Sequence, residues 1–115
     1  MDIAFRPIGL EGQAEYNRLL SLCAQKPSDY SFVNLWGWGR EYGLEWSFSE
    51  DFVLIRQTFP QTMYWAPVGN WRAVDWQPLQ DRLPRDTCFI RIPEELKNIW
   101  TGTLLGVQVQ ECREH

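Results

Sequence analysis

The chain has 115 residues, with Lys+Arg 11 against Asp+Glu 15 for a net charge of -4, and 15% of it is aromatic, including 7 Trp. That length fits one domain, and large rings that each remove on the order of 150–250 Å² from water favour a globular core over a disordered tail. An acidic balance with no basic run gives no support to non-specific nucleic-acid or anionic-membrane binding, and no apolar stretch approaches the roughly 20 residues of a membrane helix.

Met1 to Leu10 has neither the basic start nor the long apolar run of an export signal, so a cytoplasmic location is expected. Ile3 and Phe5 alternate before Pro7, which reads as an edge strand. Leu10 to Cys23 is helical, because Tyr16, Leu19, Leu20 and Cys23 fall at i, i+3, i+4 and i+7. Pro27 closes that segment. A second, aromatic helix follows, with Asp29 or Ser31 as its cap. Phe32, Leu35, Trp36 and Tyr42 are expected on its buried face. Gly37 and Gly39 sit inside it at about 1 kcal/mol each relative to Ala, a cost that close approach of another backbone would offset. Gly43 is the expected left-handed stop.

Strands come next. Leu44, Trp46 and Phe48 alternate with polar residues, Ser49 to Asp51 turn the chain, and Phe52 to Gln57 return. Thr62 to Ala66 makes a third strand, completing an antiparallel meander that Pro67 to Asn70 is expected to end. A short helix from about Asp75 to Leu83 tolerates Pro78 in its first turn. Cys88 to Ile92 is a strand, and a helix opening at Pro93 carries the stripe Leu96, Ile99 and Trp100. Leu104 to Cys112 is the last strand, with Val107 and Val109 alternating with glutamines. Helices between the later strands imply a mixed sheet with right-handed crossovers. The fold class is therefore α/β (α+β): a mixed sheet with an antiparallel meander and flanking helices.

The strings SDYSFVNLWGW, LEWSF, FVLIRQ, YWAPVG and FIRIPEEL, taken in that order, resemble the N-terminal half of a GNAT-like bacterial family. That family is related to the C-terminal domain of phosphatidylglycerol lysyltransferases. The resemblance rests on Ser28–Asp29–Tyr30, on Asn34 with Leu35 and Trp36, and on Pro67–Val68–Gly69. It covers nearly the whole chain but only the first part of the family's domain. It implies that residues 1–115 form one GNAT-like half-domain, and that a transferase-type site lies in a second half beyond Glu111–Cys112–Arg113–Glu114. An acyl-CoA or aminoacyl-tRNA donor, with a lipid or small acceptor, is implied for a full-length relative. No cofactor is implied for this segment, and no catalytic residue is carried over.

The residues themselves offer little chemistry. The only histidine is His115, the last residue, which leaves a His-based triad or His-rich metal site without material. Cys23, Cys88 and Cys112 are an odd number at wide spacing, read as buried reduced thiols. Asn34–Leu35–Trp36–Gly37–Trp38–Gly39 has the spacing of a phosphate loop. It falls inside a helical stripe, where the N–H groups are already bonded, so helix packing is the expectation. Carboxylate pairs are available in sequence at Glu41 with Glu45, Glu50 with Asp51 and Glu94 with Glu95; the second reads as solvated charge in a turn and the third as solvated charge at a helix start.

Two functional readings follow. In the first, the chain is a non-catalytic scaffold and interface. The edge of its final strand would then pair with a missing C-terminal half or with a second copy. In the second, it is a small binding module. Trp38, Trp65, Trp71 and Trp76, not all of which the core stripes account for, would be its ligand or interface aromatics; the expectation set against this is that they fill the core of a small domain or the interface with a missing half.

Overall fold

The computed structural model describes residues 3–23, 30–84, 87–101 and 109–111. The strands are β1 (Arg6–Pro7), β2 (Glu45–Phe48), β3 (Phe52–Gln57), β4 (Met63–Gly69), β5 (Thr87–Ile90) and β6 (Val109–Glu111). The helices are α1 (Gln13–Ser21), α2 (Phe32–Trp38), α3 (Gln77–Arg82) and α4 (Glu94–Thr101), with 3-10 turns at Leu10–Gly12 and Trp71–Ala73. The strands lie side by side in sequence order in one sheet. β1 to β4 pair antiparallel, and β5 and β6 join in parallel. This is the α+β fold with a mixed sheet and an antiparallel meander.

The meander creates a cross-strand row. Trp46 pairs with Ile55, Ile55 with Trp65, and Trp65 with Ile90. All four are buried. One face of this row meets the first two helices and the segment between them, with ring centroids 5.7 Å apart for both Tyr16–Trp46 and Tyr30–Trp65. The opposite face carries Phe52 and Phe89, which pack on Trp76 at 5.1 Å and Trp100 at 4.8 Å. Each aromatic helix stripe thus covers one side of the sheet, as amphipathic periodicity requires.

Several boundaries differ from the sequence reading. The first strand is confined to Arg6–Pro7, and α1 starts at Gln13 after a 3-10 turn. α2 ends at Trp38, so Tyr42 lies beyond it. Pro67, Val68 and Gly69 do not end the sheet; they are the last three residues of β4. The register explains how a proline sits there. Val53 pairs with Val68 while Ile55 pairs with Trp65, so Ala66 and Pro67 both stand against Leu54. A bulge leaves one residue out of the ladder, which suits a residue with no N–H.

Cys88 is disulfide-bonded, which corrects the reading of three reduced thiols, and its partner lies outside the described residues. Spacing along a chain does not say which strands become neighbours, and here β5 pairs with β6. Cys23 is buried and accepts a hydrogen bond from the Gly69 amide at 3.2 Å. β6 lies at the edge of the sheet, where the sequence placed the last strand. The remainder of Leu104 to Cys112, together with Pro27, Ser28, Asp29, Gly102 and His115, falls outside the described residues.

Candidate functional site

α2 and the chain that leaves it build a surface cleft. Ser31 caps the helix, its Oγ accepting from the Asn34 amide at 3.3 Å. Phe32 and Leu35 point into the core. Trp36 does not. It is 49% exposed, although the sequence placed it on the buried face. Phe32 stacks on its indole at 6.1 Å with the planes 21° apart, so the exposed ring is held from the core side. The helix ends four residues short of Tyr42, the last residue of the expected stripe; Val33 and Trp36 on its outer side, and Arg40 in the turn after it, are all exposed. Their spacing of i, i+3 and i+7, with Gly37 at i+4, was the signal in the sequence that marked this outer face.

Past Trp38 the backbone is pinned by its own amides. Gly39 N–H donates to the Trp36 carbonyl at 3.4 Å, Tyr42 to Trp38 at 3.0 Å, Leu44 to Gly39 at 2.9 Å, and Ile8 to Leu44 at 3.3 Å. These bonds satisfy carbonyls that a helix end otherwise leaves open. They also draw the chain around β1 against the end of α2. The result is a cleft of about 370 Å³ lined by Pro7, Ile8, Trp36, Gly37, Gly39, Arg40 and Leu44. That volume falls within the range of small-molecule pockets.

The two helix glycines differ. A Cβ on Gly39 would meet the Leu35 carbonyl oxygen of the same helix at 3.3 Å and the Ile8 Cβ at 3.9 Å, so the crowding comes from α2 itself and one side chain rather than from another backbone as expected. A Cβ on Gly37 would meet nothing within 4 Å among the described residues, so no neighbouring backbone there explains that glycine. The Asn34–Gly39 string is helix through Trp38, as expected, with Gly39 as the C-cap: the Leu35 amide donates to the Ser31 carbonyl at 3.1 Å.

The four tryptophans singled out in the sequence do not form a shared exposed platform. Trp65, Trp71 and Trp76 are buried within this chain. Their indole N–H groups are also used internally: Trp65 donates to Gln57 Oε1 at 3.0 Å, Trp71 to the Pro67 carbonyl at 2.9 Å, and Trp76 to the Trp71 carbonyl at 3.2 Å. Trp38 is half-buried and meets Trp65 edge to face at 6.1 Å. The Arg91 guanidinium lies 4.6 Å from the Trp65 ring centroid and 5.7 Å from that of Trp38. Arg91 is itself in the left-handed region, with φ 62. Trp38 and Trp65 thus serve as faces for an internal cation–π contact.

Two of the carboxylates are ion-paired and partly buried rather than simply solvated. Glu45 pairs with Arg56 and Glu95 with Arg72, the latter at 2.6 Å. Glu50 lies in the turn after β2, where its carbonyl accepts from Arg18 at 3.1 Å. Among the described residues no group of three or more His, Cys, Asp or Glu is placed to hold a metal ion, and no helix is long and apolar enough to cross a membrane.

With this geometry in place, the chain can be set beside known proteins. One solved structure shares its fold. It is a conserved protein of unknown function from Bacteroides thetaiotaomicron, 26% identical, with a TM-score of 0.61. The match covers 70% of this chain and 27% of that one, so the shared unit is about a quarter of a longer protein. No family model and no curated protein matches the chain.

Proposed function

We propose that this chain is a non-catalytic scaffold and interface unit, the N-terminal half of a GNAT-like aminoacyl- or acyltransferase-type domain. The observation that supports the half-domain part of this reading is the solved Bacteroides structure, in which the matched fold is 27% of a longer chain, while the transferase context comes from the sequence resemblance alone. The order of elements also agrees with the family that the sequence resembles: a strand, two helices, a meander, then helix-linked parallel strands. β6 supplies the joint. It has a sheet neighbour on one side only among the described residues, and an uncovered strand edge is a template for another strand. The partner is the remaining half of the domain or, failing that, a second copy.

The test is the intact mass of the natural gene product together with sedimentation of this chain alone. A longer product is expected, with this chain self-associating at high concentration. A natural product ending at His115 that stays monomeric would overturn the reading.

A second reading has one specific observation in its favour. The cleft beside Trp36 is built like a ligand site, although it does not use the buried tryptophans. In that reading the chain is a binding module with a single exposed indole as its platform.

A further inference from the structure

We infer that the Trp36 cleft binds a small planar aromatic anion, a ring carrying a carboxylate or a phosphate. The inference rests on the second reading above, that this chain carries a ligand, and it names the ligand's class.

Three observations point to a ring. Trp36 offers an indole that is 49% exposed, and Phe32, itself buried, stacks on it at 6.1 Å and fixes its orientation. A flat exposed ring held from one side is a stacking surface with little side-chain freedom left to lose. Gly37 then removes any side chain from the adjacent wall. Glycine in a helix interior costs about a factor of five in helix stability relative to Ala, and no described residue comes close enough to require it. A ring lying against the helix backbone does require it. Finally, Pro7, Ile8 and Leu44 close the cleft with apolar side chains, which suits the edge of an aromatic ring.

The charge comes from Arg40. It sits one turn beyond Trp36 on the same outer face and lines the same cleft. It is exposed, and among the described residues no hydrogen bond or ion pair engages its guanidinium, whereas Arg18, Arg56 and Arg72 are each paired with a carboxylate. The end of α2 would ordinarily repel an anion. Here the carbonyls of Trp36, Trp38 and Gly39 already accept from backbone amides, which blunts that effect. A guanidinium presents a planar fork that matches both carboxylate and phosphate.

The experiment titrates the 15N-labelled chain and follows the indole N–H resonance of Trp36, assigned with Trp36→Phe. The probes are indole-3-acetate and adenosine 5′-monophosphate, with indole, adenosine, inorganic phosphate and glucose as controls. The expected result is a saturable shift of the Trp36 resonance with at least one aromatic anion. Which of the two anions binds separates a carboxylate ligand from a phosphate ligand. Arg40→Gln is expected to weaken that anion about tenfold while leaving its neutral counterpart unchanged. Gly37→Leu is expected to abolish the shift without lowering the melting temperature, since Gly37 is exposed and its Cβ position is open among the described residues. Two results overturn the inference: neither anion shifts Trp36 up to millimolar concentration, or an anion binds and Gly37→Leu leaves it untouched. If only glucose shifts Trp36, the anion class falls while the binding-module reading stands. If nothing shifts it, both fall.

Discussion

Gly69→Ala tests the packing of the bulged strand most sharply. Gly69 closes β4 with φ 153, and it pairs with Phe52 at the start of β3. A Cβ there would lie 2.1 Å from the Asp51 carbonyl oxygen, 2.7 Å from the Phe52 Cα and 3.0 Å from the Asp51 carbonyl carbon. All three are backbone atoms, so no side chain can swing away. Relief requires the β3–β4 junction to separate. That would break the Asn70 amide bond to the Asp51 carbonyl at 3.0 Å and the Gly69 amide contact with Cys23 Sγ at 3.2 Å. The backbone conformation costs about 1–3 kcal/mol for a residue with a Cβ, and two lost bonds add about 1–3 kcal/mol. A loss of about 2–6 kcal/mol is therefore expected, against a net stability of about 5–15 kcal/mol for a domain. Urea unfolding followed by tryptophan fluorescence reads it directly. At a slope of about 1.5 kcal/mol/M the midpoint falls by about 1–4 M. Gly37→Ala is the internal control. Its Cβ meets nothing within 4 Å among the described residues, and it is expected to stabilise by about 1 kcal/mol. A Gly69→Ala midpoint equal to wild type, or a Gly37→Ala protein less stable than Gly69→Ala, would refute this account.

Further outcomes follow from the same geometry. Gly43→Ala places a Cβ 2.1 Å from Thr58 Oγ1 at a residue with φ 56, and a loss of about 1–2 kcal/mol in urea unfolding is expected from the left-handed backbone. Double substitution with Thr58→Ser is not expected to rescue it, because the hydroxyl remains. Trp65→Ala removes a ring that is 1% exposed and should cost about 3–5 kcal/mol. Trp36→Ala, at the surface, should stay within about 0.5 kcal/mol of wild type, and equal losses in the two variants would contradict the burial described. Tyr16 is buried and donates to the Tyr30 carbonyl at 2.5 Å. Burial first, then Tyr30 and Cys23, raises its pKa well above the ordinary 10.0. Between pH 10 and that raised value the folded chain keeps a proton that the unfolded chain has lost, so stability contributed below pH 10 falls as pH rises above it. Urea midpoints at pH 8 and pH 11 should drop less for Tyr16→Phe than for wild type. An equal drop would remove Tyr16 as a source.

The sequence alone carried the local structure of this protein, because caps, periodicity and turns act between residues a few positions apart. Ser31 marks the start of α2, alternation in LEWSF and FVLIRQ marks β2 and β3, and Leu96 with Trp100 marks the buried side of α4. The meander and the helix-linked strands followed from those elements. The order of strands across the sheet and the fate of each tryptophan did not. Trp65, Trp71 and Trp76 are core residues because β4 lies in the middle of the sheet, and because Trp71 and Trp76 find backbone carbonyls for their indole N–H groups. Trp36 is exposed because it lies with Val33 on the side of α2 opposite the buried Phe32 and Leu35. Pro67 stays in a strand because a bulge across from Leu54 spares it a ladder bond. The Cys88 disulfide and the open space at Gly37 likewise depend on what lies across a gap in space rather than along the chain. Burial is set by the neighbours that the whole fold supplies, and only the tertiary structure fixes those neighbours.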